Sequence, residues 1–508
     1  MDKYELFDAA FEEALKGCVA EGPPDYIVKN VTPSKKSLNR VFTGIALSAI
    51  TLNFWGLDYI LPFIGTILSI LGLRALRKEN KWFFGCYVIT VIRALRLLAL
   101  FAVGSTVYSS ELRDAFITVS YFSIPVMFVY LLLLRKGLST LQHKAGLIPD
   151  TKRMNILILW YVLLCILALL QYEGYILVWV MLIAYIFIIR NLYKLSKDMD
   201  ETGYAVEGAP VKISDRTLTC IIVASVAVIC LGANILFGSY DMKWEVQDTA
   251  EHTEVQQIKE HLISLGFPSH VLEDMSAEEI KECEGATEVF TKSEDHPVNK
   301  GRKVTKTYYY PSGNVYNSTS TVYDVKELRI TGVAVKLPAE TNTWKLIHHF
   351  EWTVNPGFHG TEALQLWTMD GRYDDWRDKT EATGRVLYSK DSITYTAPYY
   401  FSGKQTYTSA FNAMFNAGPS RDTFAAFSLP DEGERHRGYL TYEIEEVEDG
   451  RIVDSWIHYA HQKIPFMFPV RTALESRMQG RWDDKAFRTV QDALQFDVDT
   501  PSGNAEGF

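Results

Sequence analysis

"VFTGIALSAITLNFWGLDYILPFIGTILSILGL", residues 41–73, is too long for one ordinary membrane crossing. Gly56, Asp58 and Pro62 stand near its middle, where a turn and a fresh helix start would use them. Two short crossings joined by a tight hairpin are therefore expected. Further apolar runs near 82–107, 115–134, 154–170, 174–190 and 217–238 bring the expected bundle to seven helices.

The connections test that count, because Lys and Arg gather on the cytoplasmic side in alternate loops. Basic residues precede the first crossing (Lys35, Lys36, Arg40), follow the second (Arg74, Arg77, Lys78, Lys81), follow the fourth (Arg135, Lys136, Lys144, Lys152, Arg153) and follow the sixth (Arg190, Lys194, Lys197, Lys212, Arg216). The other connections are short and acidic: Asp58, then "SSELRD", then "QYEG". Read as one helix, 41–73 would break this alternation. The expected location is a plasma membrane crossed several times, with the amino terminus cytoplasmic and everything after about residue 239 outside the cell.

Composition divides at the same place. Residues 1–238 carry 18 acids and 23 bases, residues 239–508 carry 43 acids and 28 bases. The acidic second part, without a basic patch, argues against nucleic acid as a partner. Of the six cysteines (Cys18, Cys86, Cys165, Cys220, Cys230 and Cys283) only the last lies in that part, so it cannot hold an internal disulfide. For an outer domain of this size, that fits a bacterial surface better than an animal secretory route. The start, "MDKYELFDAAFEEALKGC", lacks a basic segment followed by an apolar core, so insertion is expected to rely on the first membrane helix. Its residues 3–15 have the period of an acidic amphipathic helix, suited to packing or a protein partner rather than to anionic lipid.

Arg93 and Arg96 interrupt the apolar run "VITVIRALRLLAL", residues 88–100. Three apart, they share a helix face, and each would cost about 2.5–3.5 kcal/mol if left toward lipid. They are expected to point inward and meet acceptors: Asp58 and Glu173 for Arg96, and Asn53, Asn234, hydroxyls or carbonyls for Arg93. Two readings stay open, a structural pin that fixes helix packing and a site for an anionic group.

In the outer part, Val255, Ile258, Leu262 and Leu265 recur at helical spacing before Gly266 and Pro268, and Ser276 with Glu279 forms a capping box. These predict a helical neck over 239–300. From 301 to 469 short runs rich in Tyr, Thr, Val and Ile alternate with turn residues and predict a mostly antiparallel β-sandwich or jelly roll of roughly ten strands. Residues 470–508 are read as a helical segment and a polar tail. The whole chain is thus expected as a cytoplasmic segment (1–40), a seven-helix transmembrane domain (41–238), a neck, a sandwich and a tail.

His348, His349, His359 and Glu362, with His458 and His461 later, lack any compact zinc spacing, and on a strand His348 and His349 must face opposite ways. Asp370, Asp374, Asp375 and Asp378 depart from the calcium-loop order. No metal or cofactor is expected from these patterns. Nucleophile motifs such as GxSxG and SxxK are missing too, so nothing marks an enzyme. A spatially assembled site remains open, and for it Glu362 beside a histidine is the pairing to look for. Aromatic residues are frequent, and Tyr309, Trp367, Tyr400 and Trp456 are the candidate contacts for a sugar or an extended peptide.

The segments "LPFIGTILSILGLRALRKENKWF", "LGFPSHVLEDMSAEEI", "VYDVKELRITGVAV" and "GTEALQLW" together resemble uncharacterised multi-pass proteins of Gram-positive anaerobic bacteria. The resemblance implies a bacterial plasma membrane and no particular activity. Together with the large outer domain, it frames three expected functions: a membrane-anchored binding or sensory protein, a carrier or channel for a small anion, or an envelope enzyme.

Overall fold

The computed structural model describes residues 31–32, 34–49, 57–170, 174–247, 253–309, 315–358, 360–367, 375–408, 418–448, 450–481 and 485–499. The amphipathic helix expected at 3–15, and Asn53, Glu173, His359, Asp370 and Asp374, lie outside them. Contacts divide the chain into two compact units, Met1–Val103 with Ser110–Leu231, and Gly104–Ser109 with Gly232–Phe508.

The first unit is helical. A two-residue strand β1 (Val31–Thr32) pairs with β2 (Val206–Glu207), and seven helices are described: α1 (Ser34–Ala49), α2 (Leu57–Leu76), α3 (Lys81–Gly104), α4 (Arg113–Lys144), α5 (Lys152–Leu169), α6 (Tyr175–Glu201) and α7 (Asp215–Phe237). The last six are long and apolar enough to cross a membrane, while α1 has 16 described residues. Residues 41–73 thus fall on two described helices, with 50–56 outside the described residues; Asp58 stands in the first turn of α2, while Pro62, read as part of the turn, lies inside that helix. Small residues let the pair close up: a Cβ on Gly65 would lie 2.6 Å from the Gly44 carbonyl oxygen, and one on Gly72 would lie 2.5 Å from that of Ser37.

The basic ends of the helices carry their own acids. Asp215 takes Arg40 at 2.6 Å and Arg74 at 2.5 Å. The buried Glu79 carboxylate accepts Lys144 Nζ at 2.9 Å, the Tyr204 hydroxyl at 3.0 Å and the Glu207 amide at 2.9 Å. A carboxylate with three donors is satisfied without water, which is what its burial demands.

The second unit is a sandwich. Its strands are β3 (Glu245–Val246), β4 (Glu288–His296), β5 (Arg302–Tyr309), β6 (Val315–Val322), β7 (Leu328–Leu337), β8 (Thr343–Trp352), β9 (Glu362–Leu366), β10 (Trp376–Asp378), β11 (Thr383–Lys390), β12 (Ile393–Pro398), β13 (Phe401–Tyr407), β14 (Ser420–Phe427), β15 (Glu434–Glu446), β16 (Ile452–Gln462) and β17 (Phe487–Asp497). One sheet runs β3-β12-β11-β15-β8-β7-β4 with β10 beside β15, the other runs β13-β14-β9-β16-β17, and β5 pairs with β6 apart from both. Every pairing is antiparallel. Alternate residues of both sheets meet in one core, where Phe350 of the larger sheet stacks on Phe427 of the smaller and lies tilted against Tyr459.

Two expectations change here. Instead of a free neck, the region 239–300 forms helices α8 (Thr253–Ser264), α9 (Ser269–Leu272) and α10 (Ala277–Lys281) that lie on the outer face of the larger sheet. Val255, Ile258 and Leu262 pack against Val333, Val335, Ile347 and Tyr439, because an apolar helical stripe needs an apolar surface. Gly266, at φ +98°, ends α8 in the left-handed conformation that only glycine adopts freely. The tail, expected helical, contributes among its described residues only the short helix α11 (Ala473–Met478) before β17. Val490, Leu494 and Phe496 of β17 enter the core, and pairing along β16 overrides the helix-like spacing.

Candidate functional site

The smaller sheet carries a row of polar and aromatic side chains on the face turned away from the core. Register sets it. Gln365 on β9 stands beside Phe424 of β14 and His458 of β16, and Asp422 and Trp456 lie two residues along on those same strands. Trp367 leaves the end of β9 with its amide donating to the Trp456 carbonyl at 3.1 Å. Its ring lies 5.7 Å from that of Trp456 and 5.2 Å from that of His458, tilted 35° to each. Both tryptophans are half-buried.

Beside the tryptophans the polar groups are tied together. Gln365 Nε2 donates to Asp422 Oδ2 at 2.7 Å and to the Tyr407 hydroxyl at 2.8 Å, and that hydroxyl donates to Asp422 at 2.6 Å. Arg477 donates from Nε and Nη2 to Gln365 Oε1 at 3.0 and 2.7 Å. The arginine is brought over the sheet by α11, whose Thr472–Glu475 capping box fixes the helix start while the Ala473 amide donates to Thr361. Burial pushes the Arg477 guanidinium down to about 10. Burial first, and then the Asp422 carboxylate, push the Tyr407 phenol up. Gln365, Asp422 and Arg477 are buried and spend these polar groups on one another, so what a ligand can reach here is the pair of indole rings and the partly exposed Tyr407.

Of the four aromatic candidates, then, the structure joins Trp367 and Trp456. Tyr400 precedes the other end of β13 and stacks on Tyr240 at 4.5 Å. Tyr309 belongs to the separate β5–β6 hairpin, opposite Val315, and its side chain lies outside the described residues. The sequence showed the aromatic residues, Tyr407 among them, but not Gln365, Asp422 and Arg477, which come from three further elements.

In the helical unit, Arg93 lies over the Tyr130 ring at 5.9 Å. Arg96 keeps a buried Nε with no hydrogen-bond partner among the described residues. Neither arginine has an ion pair among the described residues, and Asp58, at the start of α2, forms none with them. The expected Asp58–Arg96 contact is therefore not made, and Glu173 lies outside the described residues. Asn234, which with Ser105 belongs to the second unit, donates to the Ser105 carbonyl at 3.4 Å.

The histidines divide as strand geometry requires. His348 faces the core with Nε2 2.6 Å from Ser455 Oγ, and burial pushes it down to about 4. His349 faces α9, 2.9 Å from Asp274. Glu362 does meet a histidine: His461 Nδ1 lies 2.7 Å from its Oε1, and burial raises the carboxyl despite that contact. A metal-compatible group missed by the sequence reading joins Glu294, His296 and Asp492, whose ligand atoms lie within 4.8 Å of one another. Lys292 Nζ already sits 2.8 Å from Asp492, a cation where a metal would need the carboxylate. No protein-family model matches the chain, and no curated protein matches it.

Proposed function

We propose that this chain is a multi-pass protein of a bacterial plasma membrane whose β domain stands outside the cell and binds a saccharide of the envelope on its smaller sheet. The observation that carries the reading is the half-buried Trp367–Trp456 pair at the end of the Gln365–Asp422–Tyr407–Arg477 network. Sugar rings present C–H faces to aromatic rings, and this row offers two half-buried indole rings at fixed spacing, held from beneath by the buried, mutually paired Gln365, Asp422 and Arg477, with Tyr407 the partly exposed polar member. The side of the membrane is supported by the loop charges and by the short segment Gly104–Ser109, which follows α3 and belongs to the same unit as the chain after α7. Val470 donates its amide to the Gly104 carbonyl at 2.7 Å, and Ser109 donates to the Val470 carbonyl at 3.3 Å. Four candidate spans, α4 to α7, separate the two segments, and an even number between them supports placing both on one side. The bilayer is the constant partner, and a signal passed inward is the role we assign to the bundle.

The test uses the full chain in nanodiscs, titrated with oligomers of N-acetylglucosamine and, separately, with an extended peptide of similar mass. Saturable change of tryptophan emission by the sugar, lost in Trp367→Ala and Trp456→Ala, is expected. A response to the peptide alone would transfer the site to peptide binding, and no response to either would end the proposal.

A second reading, a carrier or channel for a small anionic solute, is favoured by one observation. Arg93 and Arg96 have no carboxylate partner among the described residues. Anion flux into liposomes that disappears in Arg93→Leu/Arg96→Leu, with folding retained, would support it. Unchanged folding and no flux in either protein would leave the bundle as anchor and relay.

A further inference from the structure

A different part of the helical unit is built for a ligand, independently of the saccharide reading. Lys35, Lys36, Asn39, Arg40 and Thr43 recur along α1 at the spacing of one helix face, and that face lines a cavity of about 510 Å³. The opposite side of α1, with Leu38, Val41, Phe42 and Ile45, is in the core of the bundle. Leu68 of α2 adds an apolar wall to the cavity and Asp200 of α6 an acid. We propose that this cavity holds the phosphate of an anionic membrane lipid with a hydroxylated headgroup.

Charge is the first argument. Among the described residues, Lys35, Lys36 and Arg40, with Arg74 behind them, face only Asp200 and Asp215, so two positive charges of this described cluster have no acid opposite them. Lys36 has no ion pair or hydrogen bond among the described residues. Lys35 is held by Asp200 at 3.0 Å, but both side chains are more than 40% exposed, at 47% and 42%. Such a surface pair is worth little and releases the ammonium readily to a phosphate. Arg40, shared with Arg74 on one carboxylate, is fixed in place as the wall behind them.

Polar satisfaction is the second argument. Asn39 Oδ1 is buried and accepts no hydrogen bond among the described residues. A neighbouring lysine does not fill it. An acceptor of this kind, one turn beyond two ammonium groups, suits a headgroup that presents a hydroxyl beside its phosphate, as a glycerol headgroup does. Place is the third. The basic residues fall in the first two turns of α1, just before its apolar stretch begins at Val41, which is where headgroups lie along a helix entering a bilayer. Leu68 then borders the path of the acyl chains.

The experiment measures retention of lipid and thermal stabilisation of the full chain. Phosphatidylglycerol is added to protein in phosphatidylcholine nanodiscs or neutral detergent, with glycerol phosphate and inorganic phosphate as soluble arms. The parent should bind phosphatidylglycerol over phosphatidylcholine, and Lys35→Gln/Lys36→Gln should weaken that preference roughly tenfold or more. Lys194→Gln/Lys212→Gln, which removes the same charge from exposed positions away from the cavity, should change it less than twofold. Both variants leave Arg40, Arg74 and Asp215 intact, and unchanged melting in neutral detergent shows that each folds. Equal losses in the two variants, or no preference for the anionic lipid, would overturn the proposal. Stabilisation by glycerol phosphate as strong as by the lipid would assign the cavity to a free phosphate compound and overturn the lipid.

Discussion

Asp274 and Arg437 lie 163 residues apart in the chain, yet the guanidinium Nε sits 2.8 Å from both carboxylate oxygens. His349 completes the contact at 2.9 Å, so the loop after α9 is tied to β8 and β15 at once. Burial opposes the charge on Asp274, but His349 and Arg437 outweigh it and hold the carboxyl below its usual range. Removing one partner strands the other. Arg437→Met should destabilise the β domain by about 3–5 kcal/mol, whereas Arg437→Met with Asp274→Leu should recover part of that loss, read by chemical unfolding. If the single and double variants unfold alike, the pair does not dock the helices.

His348 gives a pH dependence of known sign. In the fold its ring is pushed down to about 4 by burial, against 6.5 for the free side chain. Between those values the unfolded chain takes up a proton that the folded chain refuses, so stability present above pH 6.5 is lost as pH falls toward 4. The full effect is on the order of 3 kcal/mol. His348→Gln, which keeps a polar partner for Ser455, should remove this part of the slope. Asp274 does not interfere, because its lowered carboxyl gives up stability only below the ordinary carboxylate range. Unfolding midpoints of parent and variant from pH 7.5 to 4 measure the difference, and parallel curves would refute the assignment.

The helical part was legible because its signals are local. Asp58 marks the start of α2 within 41–73, whereas Pro62 lies inside that helix, and the apolar runs locate the six long helices without any tertiary information. The β domain was legible as strands but not as a covering of helices. The stripe Val255, Ile258 and Leu262 announces a buried face, whereas its partners Val333, Val335 and Ile347 lie on other strands. A signal for two-sided burial was present: "ITGVAV" in β7 is an unbroken apolar and small run, and its residues from Ile330 to Val335 are all buried. The candidate site was half legible. Tryptophans announce themselves, but the register that sets Gln365 beside His458 is a property of the assembled sheet.

Close approach of α1 and α2 rests on glycine at positions where any side chain meets backbone. A methyl group at Gly65 would lie 2.6 Å from the Gly44 carbonyl oxygen and 3.1 Å from the Ser48 amide nitrogen. The helices must move apart to admit it. Gly65→Ala should cost about 1–3 kcal/mol, and Gly65→Val more. Gly232, where an added Cβ meets nothing within 4 Å, is the control, and Gly232→Ala should leave the melting temperature in detergent unchanged. Equal behaviour of the two positions would show that the hairpin is looser than its glycines imply.

Threading is decided by labelling from one side. Ser264, exposed at the end of α8, is expected outside the cell, and Lys194, exposed near the end of α6, inside. The native Cys283 provides little background, since it is buried and burial pushes its thiol up to about 12. A membrane-impermeant maleimide added to intact cells should therefore label Ser264→Cys above the parent level, and should label Lys194→Cys only after the membrane is opened. The reverse pattern would turn the chain over and place Trp367 and Trp456 in the cytoplasm. Labelling of both positions in intact cells would mean that the number of crossings between α6 and the β domain is even, contrary to the single span Asp215–Phe237 that connects them.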